Sequence, residues 1–164
     1  MKKDQITIRK AEERDIDEFI NLIMRMKRLN GEFDSIFKAN DENISSIKEY
    51  YLNCIRDREK FVTLVALSGD KIAGLVKAEI RNRISYFPPQ ELRIVDLYIM
   101  PEFRRKKVGN LLINAIYDEM KKRKITIITA EFPSLNMIAL NFYKKIGYRE
   151  ITSVYGKVID ENKD

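Results

Sequence analysis

Apolar positions along this chain recur with two periods. Residues 5–10 alternate, which puts Ile6 and Ile8 on one face of an expected strand. From Ile16 the period becomes helical: Ile16, Phe19, Ile20, Ile23, Met26 and Leu29 form one stripe, with Asp15 in the cap region and Asn30-Gly31 as the expected end. A polar connection dotted with aromatics, 29–43, leads to a second helix over 44–58, with Ile44, Ile47, Tyr51 and Cys54 or Ile55 inward. Residues 61–67 and 72–80 read as strands of a hairpin turning at Ser68-Gly69-Asp70-Lys71. Pro88-Pro89 makes 85–90 a loop, and 92–100 read as the next strand. Over 107–123 an amphipathic helix places Val108, Leu111, Leu112, Ala115, Ile116 and Met120 in one stripe. A short apolar strand, 125–130, precedes a helix over 136–146. Gly147 comes after it at the position where left-handed geometry is needed. Residues 148–159 read as a last strand bent at Gly156, and the charged tail 160–164 as frayed.

The expected order is therefore β-α-α-β-β-β-α-β-α-β. It predicts a mixed α/β fold, antiparallel strands first and a βαβ unit late, in a single domain covering 1–164. Apolar content of 45% and charged content of 34% are ordinary for a globular chain. No apolar run is long enough to cross a bilayer, and the start of the chain leads into alternation, not a signal-peptide core. The single cysteine, Cys54, excludes an internal disulfide framework, suits a reducing cytoplasm and is expected to be a small buried residue. There is no histidine. That excludes His-based triads, His-ligated zinc and His general bases. Acid–base chemistry falls to carboxylates, tyrosines or water, and no metal is expected.

The net charge of +6 changes this picture only where the cations cluster. Arg104, Arg105, Lys106 and Lys107 stand between a strand that ends at Pro101 and the helix that begins near Gly109. The first N–H groups of a helix have no partner within it, so strand, basic turn and helix start together build an anion site. Cations at a helix N-terminus oppose its dipole, so four in a row call for an anionic ligand. A phosphate-loop NTPase is excluded, since no Gly-x-x-x-x-Gly-Lys-Ser/Thr is present. A basic nucleic-acid-binding module has the charge in its favour. Against it, the chain lacks a helix-turn-helix signal, zinc spacing or an aromatic RNA-binding signature.

At these residues the sequence resembles the GNAT family of acyl-CoA-dependent N-acetyltransferases. The family loop Gln/Arg-x-x-Gly-x-Gly/Ala is met by Arg104-Arg105-Lys106-Lys107-Val108-Gly109. The preceding strand ends Leu97-Tyr98-Ile99-Met100-Pro101. Asn136 and Tyr143 match the later family helix, and Gly147-Tyr148 match the glycine and aromatic just beyond it. The likeness covers the element order of the whole chain. It implies a GNAT-type fold, a central, mostly antiparallel twisted sheet flanked by about four helices, with a splayed strand pair at the cofactor site. It departs at Lys107, where the family has glycine; lysine in ordinary helical geometry is expected to let the loop form.

The resemblance also implies a site. Acetyl-CoA would be the cosubstrate, its pyrophosphate on the N–H groups of Arg105 to Asn110 with Arg104, Lys106, Lys107, Val108 and Gly109 around it. Its pantetheine would lie along Leu97, Tyr98 and Ile99, in a splay opened by a bulge near Tyr98. Tyr143 would be the general acid for the departing thiolate, or else a core aromatic. Asn136 would contact the pantetheine or cap its helix. For the acceptor's proton Asp96 is the first choice, with Glu131, Glu79 or water as alternatives; the bland reading of Asp96 is a carboxylate paired with Arg93 or Arg81. Glu32, Phe33 and Asp34 are expected to bind the acceptor, a primary amine that is either a small cation or a peptide amine. Val95-Asp-Leu-Tyr and the Asn141 to Lys145 stretch look locally like diamine and polyamine acetyltransferases of the family. A last hairpin longer than this C-terminal sequence would be completed by a second copy of the chain, a homodimer. A non-catalytic CoA-binding sensor of the same fold is the rival within this resemblance.

Overall fold

The sheet is organised by the turn at Gly69, whose φ of +60° suits a residue without Cβ. The computed structural model describes residues 5–159. Its strands are β1 (Ile6–Lys10), β2 (Phe61–Ser68), β3 (Lys71–Asn82), β4 (Gln90–Ile99) and β5 (Ile128–Ala130), and they lie side by side in chain order. Neighbours are antiparallel except β4 and β5, which are parallel. The helices are α1 (Ile16–Phe33), α2 (Ile44–Arg56), α3 (Val108–Arg123) and α4 (Met137–Lys145). Strands β2 and β3 are buried at consecutive positions, so both faces of the sheet are covered. The pair α1 and α2 covers one face and α3 the other. Phe19, Ile23, Leu75, Leu112 and Ile116 are among the fully enclosed side chains.

Several elements depart from the sequence reading. Helix α1 runs through Asn30-Gly31 to Phe33. Gly31 is used for close approach, not for ending: a Cβ there would stand 3.3 Å from the Phe37 carbonyl oxygen. Strand β5 begins at Ile128, not 125, because the Ile125 N–H is spent on the Met120 carbonyl in closing α3. Leu111 and Ile44, expected inward, are exposed. Residues 148–159 make no strand, and Ile151, Val154, Tyr155 and Val158 are exposed along them. The alternation there is real, but a strand also needs a ladder, and β5 offers only a short edge. The expected frayed tail, 160–164, lies outside the described residues.

What shapes the site is one extra residue in β4. Ala78 pairs with Ile94 and Lys77 with Asp96, so Val95 is a β-bulge, three residues before the expected position at Tyr98. Paired residues share a face, so the bulge puts Ile94 and Asp96 on opposite faces. It also reverses the backbone. Before it, Leu92 N–H donates to Ile127 and the Ile94 carbonyl accepts from Glu131 N–H, both toward β5. After it, Met100 N–H donates to Ala73 of β3, so Leu97 and Ile99 turn their backbone groups toward the β5 side. Strand β5 ends at Ala130, so the two strands part there and the edge of 95–99 is left open.

Candidate active site

An open cleft of about 1460 Å³ runs along that free edge. Its walls are α1 at Lys27 and Asn30, α2 at Tyr50 and Tyr51, β4 at Val95 and Leu97 to Ile99, the basic turn, and α4 at Asn136 and Tyr143. Strand edge and helix start therefore lie end to end in one space.

The basic turn is held by two residues with positive φ, Arg105 at 66° and Lys107 at 62°. Lys107 is thus left-handed (ψ 14°), not in the ordinary helical geometry expected for it. For a residue with a Cβ that costs about 1–2 kcal/mol. Val108, Gly109 and Asn110 are the first residues of α3, so their N–H groups have no intrahelical acceptor; the first such bond is Leu111 N–H to the Lys107 carbonyl, 3.0 Å. Among the described residues, no backbone acceptor meets the N–H of Arg105 or Lys107 either. Arg104 is engaged: its Nε donates to the Ile99 carbonyl at 3.2 Å, and its guanidinium stands 5.8 Å from the Tyr98 ring centre. Lys106 lies over the Phe103 ring and does not line the cleft. Gly109 packs the start of α3 on α4: a Cβ there would meet the Phe142 ring at 3.1 Å.

Tyr143 is buried on α4, stacked on Phe132 at 5.3 Å and tilted against Tyr148 at 5.1 Å. Tyr143 lines the cleft, and its hydroxyl has no hydrogen-bond partner found among the described residues. Burial, with Tyr117 adding to it, holds this hydroxyl above its ordinary pKa, so it stays protonated. Asn136 caps α4, its Oδ1 accepting from Ala139 N–H at 3.0 Å, and it also lines the cleft.

Asp96 is completely buried, and its partners are neither Arg93 nor Arg81. Lys27 Nζ stands 2.6 Å from its Oδ1, and the Tyr51 hydroxyl donates to Oδ2 at 2.8 Å. Behind it Lys77, only 1% exposed, donates to the Tyr50 hydroxyl at 2.8 Å and to Glu79 at 3.0 Å, with Asp96 at 3.9 Å. Burial pulls the Lys77 pKa down, but Tyr50, Asp96 and Glu79 outweigh it and hold it above its usual value. Burial pushes Glu79 up, and Lys77 and Arg81 outweigh that in turn. Glu131, at the end of β5, lines the cleft and is paired with Arg93 at 3.3 Å and Arg81 at 3.9 Å.

The structure thus gathers Tyr143, Asn136, Glu131, Leu97 to Ile99 and most of the basic turn around one cleft, with Asp96 beneath its α1–α2 wall. It does not bring in Glu32, Phe33 or Asp34. Asp34 instead accepts from Ile36 N–H at 3.0 Å, and Phe37 to Asn40 and Asn43 form that wall. Sequence reasoning missed Lys27, Tyr50, Tyr51 and Lys77. One signal was available: Lys77 and Asp96 are each a lone charge inside an apolar run on strands expected to neighbour one another.

Among the described residues, no three His, Cys, Asp or Glu gather as metal ligands, and no helix is long and apolar enough to cross a membrane. The model of the acetyltransferase (GNAT) family matches residues 23–148. An uncharacterized N-acetyltransferase of Methanocaldococcus jannaschii is 27% identical over 151 residues, 92% of this chain and 63% of that protein. The ribosomal protein bS18 alanine N-acetyltransferase of Salmonella typhimurium is 22% identical over 94 residues, 57% of this chain and 59% of that one. This chain therefore spans roughly three fifths of these relatives' length. Among solved structures, the PaiA N-acetyltransferase of Thermoplasma acidophilum in complex with coenzyme A superposes with a TM-score of 0.74 at 23% identity, over 91% of this chain and 93% of that one. The mixed sheet with its splayed pair is the fold of these acetyltransferases.

Proposed function

We propose, for a chain that belongs to the acetyltransferase (GNAT) family, that it moves the acetyl group of acetyl-CoA to a primary amine by direct attack within a ternary complex. One observation carries the reading: the open edge of β4 runs straight into the unpaired N–H groups and cations that open α3. That sequence of groups fits a molecule with an amide-bearing arm at one end of a pyrophosphate. The residues present fit acetyl-CoA, which supplies a thioester-activated acetyl group when bound.

In this reading the N–H groups of Arg105 and of Lys107 to Asn110, with the Arg105 and Lys107 side chains, hold the pyrophosphate, while the Lys106 N–H is spent on the Phe103 carbonyl. Leu97 and Ile99 pair their backbone with the pantetheine amides, and an N–H beside the bulge polarises the thioester carbonyl. As the amine nitrogen bonds to the acetyl carbon, the carbon–sulfur bond breaks. The Tyr143 hydroxyl, kept protonated by its burial, gives its proton to the departing thiolate. The proton leaving the amine reaches buried Asp96 through the Tyr51 hydroxyl bonded to it, while Glu131 offers a route nearer to solvent.

The acceptor class is a primary amine. The cationic-amine expectation leaned on Glu32, Asp34 and Asp96; the first two stand outside the cleft lining, and the third is buried and paired with Lys27. The similarity to a ribosomal-protein alanine N-acetyltransferase favours the other expectation, the amine of a protein or peptide. The buried free thiol of Cys54 supports a reducing cytoplasm. The edge position of β5 and the exposed apolar residues of 148–159 support a second copy of the chain as partner.

The test joins binding to turnover. Acetyl-CoA and CoA are expected to raise the melting temperature by mass action, and a panel of amines to release free thiol from acetyl-CoA. A transition unmoved by both, but shifted by nucleic acid, overturns the reading. Binding with turnover that survives changes at Tyr143 and Asp96 removes their roles, and binding with no turnover leaves the sensor reading.

A further inference from the structure

Charges at the acceptor end of the cleft narrow the acceptor's chemistry, on the acetyltransferase reading of the same site. The carboxylates there are taken. Asp96 holds Lys27 at 2.6 Å, Glu131 holds Arg93 at 3.3 Å, and Glu79, behind Tyr50, holds both Lys77 and Arg81 at 3.0 Å. Lys38 differs. It lines the cleft from the connection between α1 and α2, is exposed, and makes no ion pair among the described residues. Asn30 of α1, and Asn43 and Ser46 at the start of α2, line the same cleft, with no side-chain hydrogen bond found among the described residues. The Lys38 ammonium carries only donors, and each amide brings two donors beside its one acceptor oxygen. This wall therefore offers donors to oxygen acceptors and no free carboxylate to a second ammonium. A polyamine would set like charge against Lys38, an arrangement that works against binding.

We propose that the acceptor is a primary amine carrying a carboxylate or phosphate a few bonds from its nitrogen. Lys38, aided by Asn30, Asn43 and Ser46, holds the anion and leaves the amine facing Tyr51. Three sources share this chemistry: a free amino acid, a peptide whose N-terminus is followed by an acidic residue, and a phosphorylated small amine.

The experiment measures thiol release from acetyl-CoA by wild type and Lys38→Glu with matched acceptors. The pairs are γ-aminobutyrate against putrescine, a peptide with glutamate after its first residue against the same peptide with lysine there, and phosphoethanolamine against ethanolamine. In at least one pair the anionic member is expected to have a kcat/KM about tenfold higher or more, the effect of one good charged contact. That pair names the source. Lys38→Glu is expected to reverse the preference while the Kd for acetyl-CoA holds. Preference for the cationic members, ratios near one, or ratios that Lys38→Glu does not move overturn the proposal and leave the acetyltransferase reading standing. Acetyl-CoA binding with no thiol release from any acceptor overturns both.

Discussion

The ring of Phe142 stands where a side chain on Gly109 would go, with ring carbons 3.1 and 3.2 Å from the Cβ position. The start of α3, which carries the anion-binding N–H groups, is thereby seated on α4, which carries Tyr143. Gly109→Ala is expected to cost about 1–3 kcal/mol by overpacking, and adding Phe142→Leu to recover much of it. Gly109→Glu adds charge as well as bulk and is expected to abolish acetyl-CoA binding. Denaturant melts and calorimetry check both, and equal affinities for Gly109→Glu and wild type would remove the turn from the cofactor site.

Lys107 sits at φ 62°, where a side chain with Cβ is strained. Lys107→Gly is expected to keep acetyl-CoA binding through the N–H groups of the turn, weakened by the loss of one ammonium, and to hold or raise stability by up to about 1 kcal/mol, the relief of strain exceeding the added chain entropy. Lys107→Val, β-branched, is expected to fall below wild type. A series in which valine is the most stable would contradict the left-handed geometry.

Tyr143→Phe is expected to lower kcat by about 10²–10⁴-fold, the usual worth of general acid help, with little change in the Kd for acetyl-CoA. Full turnover by the Phe variant would return Tyr143 to the core.

Asp96→Asn removes the carboxylate that holds Lys27 at 2.6 Å and stands 3.9 Å from buried Lys77, which keeps Glu79 alone as its countercharge. A loss of about 3–5 kcal/mol is expected, as for other broken buried pairs. Adding Lys77→Met removes the under-compensated ammonium, with Glu79 still held by Arg81, and is expected to return part of it. A double variant less stable than Asp96→Asn alone would show that Lys77 packs for other reasons.

Asp15 accepts two hydrogen bonds from Arg9, at 2.7 and 2.8 Å, and one from Glu12 N–H. The Arg9 bonds hold its pKa below the usual value of 3.8 against the opposing effect of burial. A folded-state pKa below the unfolded one adds stability above the unfolded value and loses it as pH falls through the folded one. Asp15→Asn is therefore expected to cost about 1–3 kcal/mol at neutral pH, with the gap to wild type closing as pH drops below about 4. A gap that stays constant on acidification would reject the ion pair as its source.

The parts of this molecule legible in the sequence are those whose signal is local. The basic turn is a run of neighbours, and Asn136 and Tyr143 share a helix face because they lie about two turns apart. Strand order up to β5 comes from short connections. The Lys27–Asp96–Tyr51 cluster spans 69 and 45 positions and depends on which helices cross β4. No periodicity encodes that crossing. The geometry of Lys107 is set by how the turn closes, not by the preference of lysine. Residues 148–159 have strand-like composition, yet a strand forms only where another edge receives it, and the partner is not written in the segment.

Val95 makes the spacing between the hairpin loop and the basic turn a matter of parity. Were it to enter the ladder opposite Lys77, the result would be a frameshift in space: every side chain from 96 to 99 would exchange faces, and the backbone groups that line the cleft would be sealed against β3. A protein engineer can expect length changes to be tolerated at 83–89, beyond the paired rungs, and to be ruinous a few residues later. Someone aligning distant relatives should anchor the gap pattern on this residue, because a one-position error there assigns each later side chain of the strand to the wrong side of the sheet.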